Sequence, residues 1–142
     1  MSEATATRST VIPGMYYRNA PEAIEWLCKV FGLEKHAVYP GPDNTIMHAE
    51  LTRGGGMMML GSASDKAAHR HMKSPSDLGG DQTCGLSLIV EDADEIYARA
   101  KAVGARIVED IEDKPYGGRG FACLDPEDHI WHVITYDPWA PK

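Results

Sequence analysis

His48 and Glu50 stand two residues apart in a stretch, 45–51, that alternates polar and apolar side chains. Residues two apart on a β-strand share a face. An imidazole and a carboxylate are thereby brought together, which suits an acid–base pair or two ligands of a metal, and equally a solvated polar pair. His132 lies in the apolar run Ile130, Trp131, His132, Val133, Ile134. With Trp131 and Val133 turned to the core, His132 joins Ile130 and Ile134 on the other face. Arg119 follows Gly117 and Gly118, and its guanidinium could clamp an anion or simply brace the turn. His69 and His71 are also two apart, but in a polar segment where solvated loop residues are the plainer reading.

These side chains need strands to hold them, and the chain supplies two similar sets. The first runs as a strand at 10–17, a helix between the N-cap Asn19 and Gly32, then strands at 34–39, 45–51 and 57–60. The second runs as a strand at 83–90, a helix between Asp92 and Gly104, then strands at 106–110, 121–124 and 130–136. The offset is 73 from Asn19 to Asp92 (92 − 19), 72 from Gly32 to Gly104 (104 − 32) and 73 from Met57 to Ile130 (130 − 57). The spacing predicts an α+β protein of two βαβββ modules, 10–61 and 83–138, with 62–82 as a polar, partly mobile linker.

Alternation assigns faces. Met47, Ala49 and Leu51 go under the helix, leaving Ile46, His48 and Glu50 on the open side. Met57 and Met59 offer a soft, adaptable wall there, and strand one adds Ile12, Gly14 and Tyr16. If the seventh strand copies the third, Arg119, Phe121 and Cys123 face the same side.

The net charge of −7 argues against a nucleic-acid partner, whose phosphates call for clustered Lys and Arg. No apolar run approaches the ~20 residues of a membrane span, and residues 1–9 lack the apolar core of a secretion signal. Cys28, Cys84 and Cys123 are odd in number and without a CxxC pair, which fits free thiols in a reducing cytoplasm.

The paired βαβββ units, with AIEWLCKVFG (23–32), YGGRG (116–120), DPEDHIW (125–131) and YDPW (136–139), resemble the glyoxalase, bleomycin-resistance and extradiol-dioxygenase superfamily, the vicinal oxygen chelate fold, over residues 10–138. The resemblance implies sheets that curl into half-barrels around a ligand cup, and a homodimer. Enzymes of that superfamily hold a divalent metal on strands one, four, five and eight. Those positions fall on Ile12, Met59, Gly85 and His132, of which only His132 is a ligand for such a cation.

The resulting expectation is a small-molecule-binding protein without catalytic metal or other cofactor. Tyr16, His48, Glu50, Met59, Arg119, Phe121 and His132 are its candidate ligand-binding residues, and an antibiotic-like or other aromatic or cationic compound is its expected ligand. Two alternatives stay open. One is a metal-dependent lyase or dioxygenase-type enzyme with a relocated site at His48, Glu50 and His132; the other is an interaction domain with no pocket.

Overall fold

The computed structural model of the chain describes residues 8–66 and 69–142. Helix α1 (Ala20–Phe31) starts where the Asn19 side chain accepts a hydrogen bond from the Glu22 amide at 3.2 Å. It stops at Gly32, whose φ of +70° favours glycine and where a Cβ would also lie 2.9 Å from Arg53 Nη1. Ala20, Ala23, Ile24, Leu27, Val30 and Phe31 form its buried face, at the spacing of one side of a helix. Helix α2 (Ala93–Ala102) repeats the plan, with Asp92 accepting from the Glu95 amide and Ile96 and Ala100 buried.

The first module carries β1 (Gly14–Tyr17), β2 (Glu34–Pro40), β3 (Ile46–Arg53) and β4 (Gly56–Ser62). The second carries β5 (Leu86–Ile89), β6 (Ile107–Asp113), β7 (Arg119–Leu124) and β8 (Ile130–Ile134). They form two open sheets of order β1-β4-β3-β2 and β5-β8-β7-β6. The pairs β1–β4 and β5–β8 are parallel and the others antiparallel. This is the α+β architecture of two βαβββ modules that the repeat predicts. Strand β1 is shorter than expected, because Pro13 has no amide to donate; its carbonyl still accepts from Met59 N at 2.9 Å. Ile12 therefore precedes the strand instead of lining it.

Faces follow the alternation in β3, β4 and β8. Ala49, Leu51, Met58, Leu60, Trp131 and Val133 are buried on the helix side. Met47 and Ile46 depart from their expectation: the β2–β3 register shifts between Tyr39 and Pro40, leaving Met47 as the extra residue of a bulge, so Met47 is 69 % exposed while Ile46, expected on the open side, is buried in the core.

Strand β7 is a correction. Glu50 pairs with Met59, whereas Ala122 pairs with His132. Met59 and His132 are equivalent at 73 (132 − 59), but Glu50 and Ala122 are equivalent at 72 (122 − 50). Four residues connect the paired Thr52 and Met57, and five connect Leu124 and Ile130. The extra turn residue slips β7 by one, and a one-residue slip exchanges the faces of a whole strand. Phe121 and Cys123, expected in the cup, are therefore sealed in the core, with the Phe121 ring edge-on to Tyr97 of α2 at 5.1 Å. Burial pushes the Cys123 thiol up to about 12, with the nearby Asp125 adding to the shift.

The same turn joins the modules. Asp125 is buried and its carboxylate accepts from Tyr17 Oη at 2.6 Å, Trp131 Nε1 at 3.1 Å, and the amides of Glu127 and His129 at 3.0 and 3.1 Å; His129 Nδ1 lies 3.2 Å away. Glu127, also buried, accepts from the amides of Arg18 and Asn19 at 2.7 and 2.8 Å, where α1 begins, and from Ser74 Oγ at 2.6 Å. Above them, Phe31 packs on Trp131 with ring centroids 4.7 Å apart. The described part of the expected loose linker is thus tied down, residues 67 and 68 lying outside the described residues: it holds two short 3-10 turns, His69–His71 and Pro75–Leu78, with the buried Ser74 between them.

Burial alone would raise the Asp125 carboxyl, but its bonds with His129, Tyr17 and Trp131 outweigh it and hold the group below its ordinary value. A depressed folded value gives stability that is present above the unfolded carboxyl value and is lost as pH falls through the folded one. Asp125→Asn turns an amide toward donors and is expected to cost about 3 kcal/mol, lowering Tm by about 10 °C at neutral pH. The gap between variant and wild type should narrow in acid. A thermal melt series from pH 7 to pH 3 checks both; an unchanged Tm at neutral pH contradicts the assignment.

Candidate functional site

Strand β3 turns His48 and Glu50 to the side away from α1, and they meet: His48 Nε2 lies 2.9 Å from Glu50 Oε2. Both are partly exposed. Tyr39 on the neighbouring strand stacks over His48 with ring planes 21° apart and centroids 6.1 Å apart. A third side chain joins them that the sequence did not single out. The β2–β3 register slips between Lys35 and Ala37, so His36 is the extra residue of a bulge, and its Nε2 sits 3.9 Å from Glu50 Oε1. Bulges re-aim side chains in this way, and alternation alone gives no sign of one. Glu50 is thus a carboxylate flanked by two imidazoles, able to accept a proton or a hydrogen bond from a cationic group. Across the same sheet, Glu50 pairs with Met59 and Met59 with Gly14.

The second sheet presents the equivalent row. Ser87 pairs with His132, His132 with Ala122 and Ala122 with Glu109. Glu109 bonds Lys114 Nζ at 2.9 Å, and this hydrogen bond and charge hold its carboxyl below the ordinary value. His132 is half-buried there, on the open face as expected. Its row brings it neither His48 nor Glu50; among the described residues, no three His, Cys, Asp or Glu side chains gather in a way that could hold a metal ion.

Arg119 goes to the other side. Its Nε and Nη2 reach the two carboxylate oxygens of Asp94 at 2.9 and 3.2 Å, and its Nη1 reaches Asp113 at 3.3 Å. The guanidinium braces the start of α2 against the end of β6, which is the turn-bracing alternative to an anion clamp. Gly118 makes that turn possible: its φ is +74°, and a Cβ would meet Tyr136 N at 2.6 Å. Tyr17 is sealed in the core, so Tyr16 is the tyrosine left on the open side, with its ring 3.8 Å from that of His69, centroid to centroid. Trp139 is 90 % exposed.

Two cavities flank the seam between the modules. The smaller, about 220 Å³, lies among Pro13, Met57, Leu86 and Trp131. The larger, about 490 Å³, lies between β1, the segment from His71 to Cys84 and the start of β8. Tyr16 lines the larger one. His48, Glu50, Met59, Arg119, Phe121 and His132 line neither.

The family model described as Glyoxalase/Bleomycin resistance protein/Dioxygenase superfamily matches residues 10–133. The chain belongs to this superfamily. An uncharacterized protein of Mycobacterium bovis is 31 % identical over 121 residues, covering 85 % of this chain and 79 % of that one. The crystal structure of TioX from Micromonospora sp. ML1 superposes with a TM-score of 0.67 at 29 % identity, over 91 % of this chain and 99 % of TioX. A lactoylglutathione lyase from Agrobacterium tumefaciens superposes with a TM-score of 0.66 over 94 % and 99 % of the two chains; at 19 % identity it shows the fold alone.

The metal that the superfamily's enzymes carry can be tested against the donors present. At the four positions this member has Ile12, Met59, Gly85 and His132. Position 85 does adjoin His132, since a Cβ there would lie 3.8 Å from its Nε2, yet glycine brings no donor. An alkyl chain, a thioether and a glycine beside one imidazole do not make a site for a hard or borderline divalent cation.

Proposed function

We propose that the protein is a small-molecule-binding member of its superfamily that works without a catalytic metal and sequesters an antibiotic-like or other aromatic or cationic compound. The donor set carries this reading: three of the four positions that would hold a metal, Ile12, Met59 and Gly85, bring no suitable donor, while the two βαβββ modules around them are complete. The open sheet faces keep groups suited to binding, namely Glu50 between His36 and His48, the thioethers of Met57 and Met59, and His132. The family's structural neighbours include a fosfomycin resistance protein, FosX, of Listeria monocytogenes, alike in fold at 12 % identity.

We place the protein in the cytoplasm as a homodimer. No helix among the described residues is long and apolar enough to cross a membrane, the described cysteines are free thiols, and open sheets leave strand edges that pairing would cover.

The test is elemental analysis of untagged protein offered zinc, iron, nickel and manganese in turn, with the mass measured by light scattering on the same preparation. The expected result is no stoichiometric metal and a mass of two chains. One metal per chain, lost when His48 and His132 are both changed to alanine, contradicts the reading and favours the relocated-site enzyme. A monomer mass at micromolar concentration contradicts the dimer.

A further inference from the structure

We propose that the segment from His71 to Cys84 roofs a chamber at the seam of the two modules, and that this chamber takes one flat, uncharged aromatic molecule. The inference rests on the small-molecule reading above and names a site away from the residues that reading uses on the sheet faces.

Four observations carry it. The chamber, about 490 Å³, is within the range of sites that enclose drug-sized ligands. Its roof is fixed on both sides: Ser74 Oγ donates to Glu127 and reaches Tyr16 O at 3.1 Å, while Gln82 donates to Asp128 O and accepts from the Ile130 amide, both at 3.0 Å. These bonds engage the Gln82 amide, and Asp125 engages His129; most of the lining surface is apolar, with His71, Lys73, Asp81 and Thr83 as its exposed polar members. Finally, an otherwise polar segment carries Met72 and Leu78, which are 39 % and 50 % exposed yet both line the chamber. Together they give the roof an apolar underside.

The lining also defines the ligand. The Tyr16 ring, set by its contact with His69, offers an aromatic surface, and Met15 and Met72 offer thioethers, which favour ring edges. Leu86 and Ile130 close the side formed by the second module. The charged lining residues Lys73 and Asp81 are of opposite sign and exposed. A charged ligand would lose hydration without meeting a buried counter-charge, so a neutral one is favoured.

The neutral fluorophore N-phenyl-1-naphthylamine is the probe, titrated into the full chain. Saturable enhancement at one probe per chain is expected. Met72→Trp and Leu78→Trp, each filling the chamber from a partly exposed position, should weaken it at least tenfold. Met47→Trp, which adds the same ring outside the chamber, should leave it unchanged. Circular dichroism confirms that each variant is folded. Unchanged affinity in both filling variants overturns the chamber, as does the absence of saturable binding. If the probe is instead lost on Met59→Trp or His132→Ala and kept in the filling variants, the chamber fails while the small-molecule reading stands.

Discussion

Two buried carboxylates on one turn hold this molecule together. Asp125 gathers donors from β1, from β8 and from its own turn, and Glu127 binds the backbone where α1 begins together with Ser74 of the connecting segment. A buried carboxylate is tolerable only when its lone pairs are met, and here they are met by groups from opposite ends of the chain. Removing one acceptor would strand several donors at once, which makes the turn a lock between modules as well as a hairpin. Negative charge beside the N-cap of α1 also suits the helix dipole. The geometry of the seam, and so of both cavities, depends on this arrangement.

The duplication was legible because its markers are local. Asn19 and Asp92 cap helices, Gly32 and Gly104 follow their ends, and strand alternation puts Ala49, Leu51, Trp131 and Val133 inside. What was not legible is what depends on counting across a turn. One more residue between β7 and β8 than between β3 and β4 moves Phe121 and Cys123 into the core and leaves Ala122 opposite His132. The bulge at His36 is hidden for a similar reason, since hydrogen-bond register leaves no mark in residue types. The segment 62–82 looked like a tether from its polar composition, yet its buried Ser74 and its doubly bonded Gln82 are long-range contacts that composition cannot reveal.

Of the residues that composition and spacing put forward for the site, the structure keeps Tyr16, His48, Glu50, Met59 and His132 off the helix-covered faces. It gives Arg119 to the carboxylates of Asp94 and Asp113 and Phe121 to the core. The polar groups that remain sit in two rows, one on each sheet, and neither row reproduces the donor set of a metalloenzyme. At the three matching positions Ile12, Met59 and Gly85 the side chains bring no donor suited to a hard or borderline cation, and this is the observation on which the proposed binding role rests.

Native-state hydrogen exchange tests most directly whether the Asp125–Glu127 turn locks both modules and the connecting segment into one unit. The amides of Arg18, Asn19, Ser76 and Ile130, which bond to Glu127 or Gln82, should exchange as slowly as the central strands β4 and β8, through global unfolding alone. If Ser76 and its neighbours in 69–82 exchange at the rate of a free loop while the strands stay protected, the lock does not exist and the account is wrong.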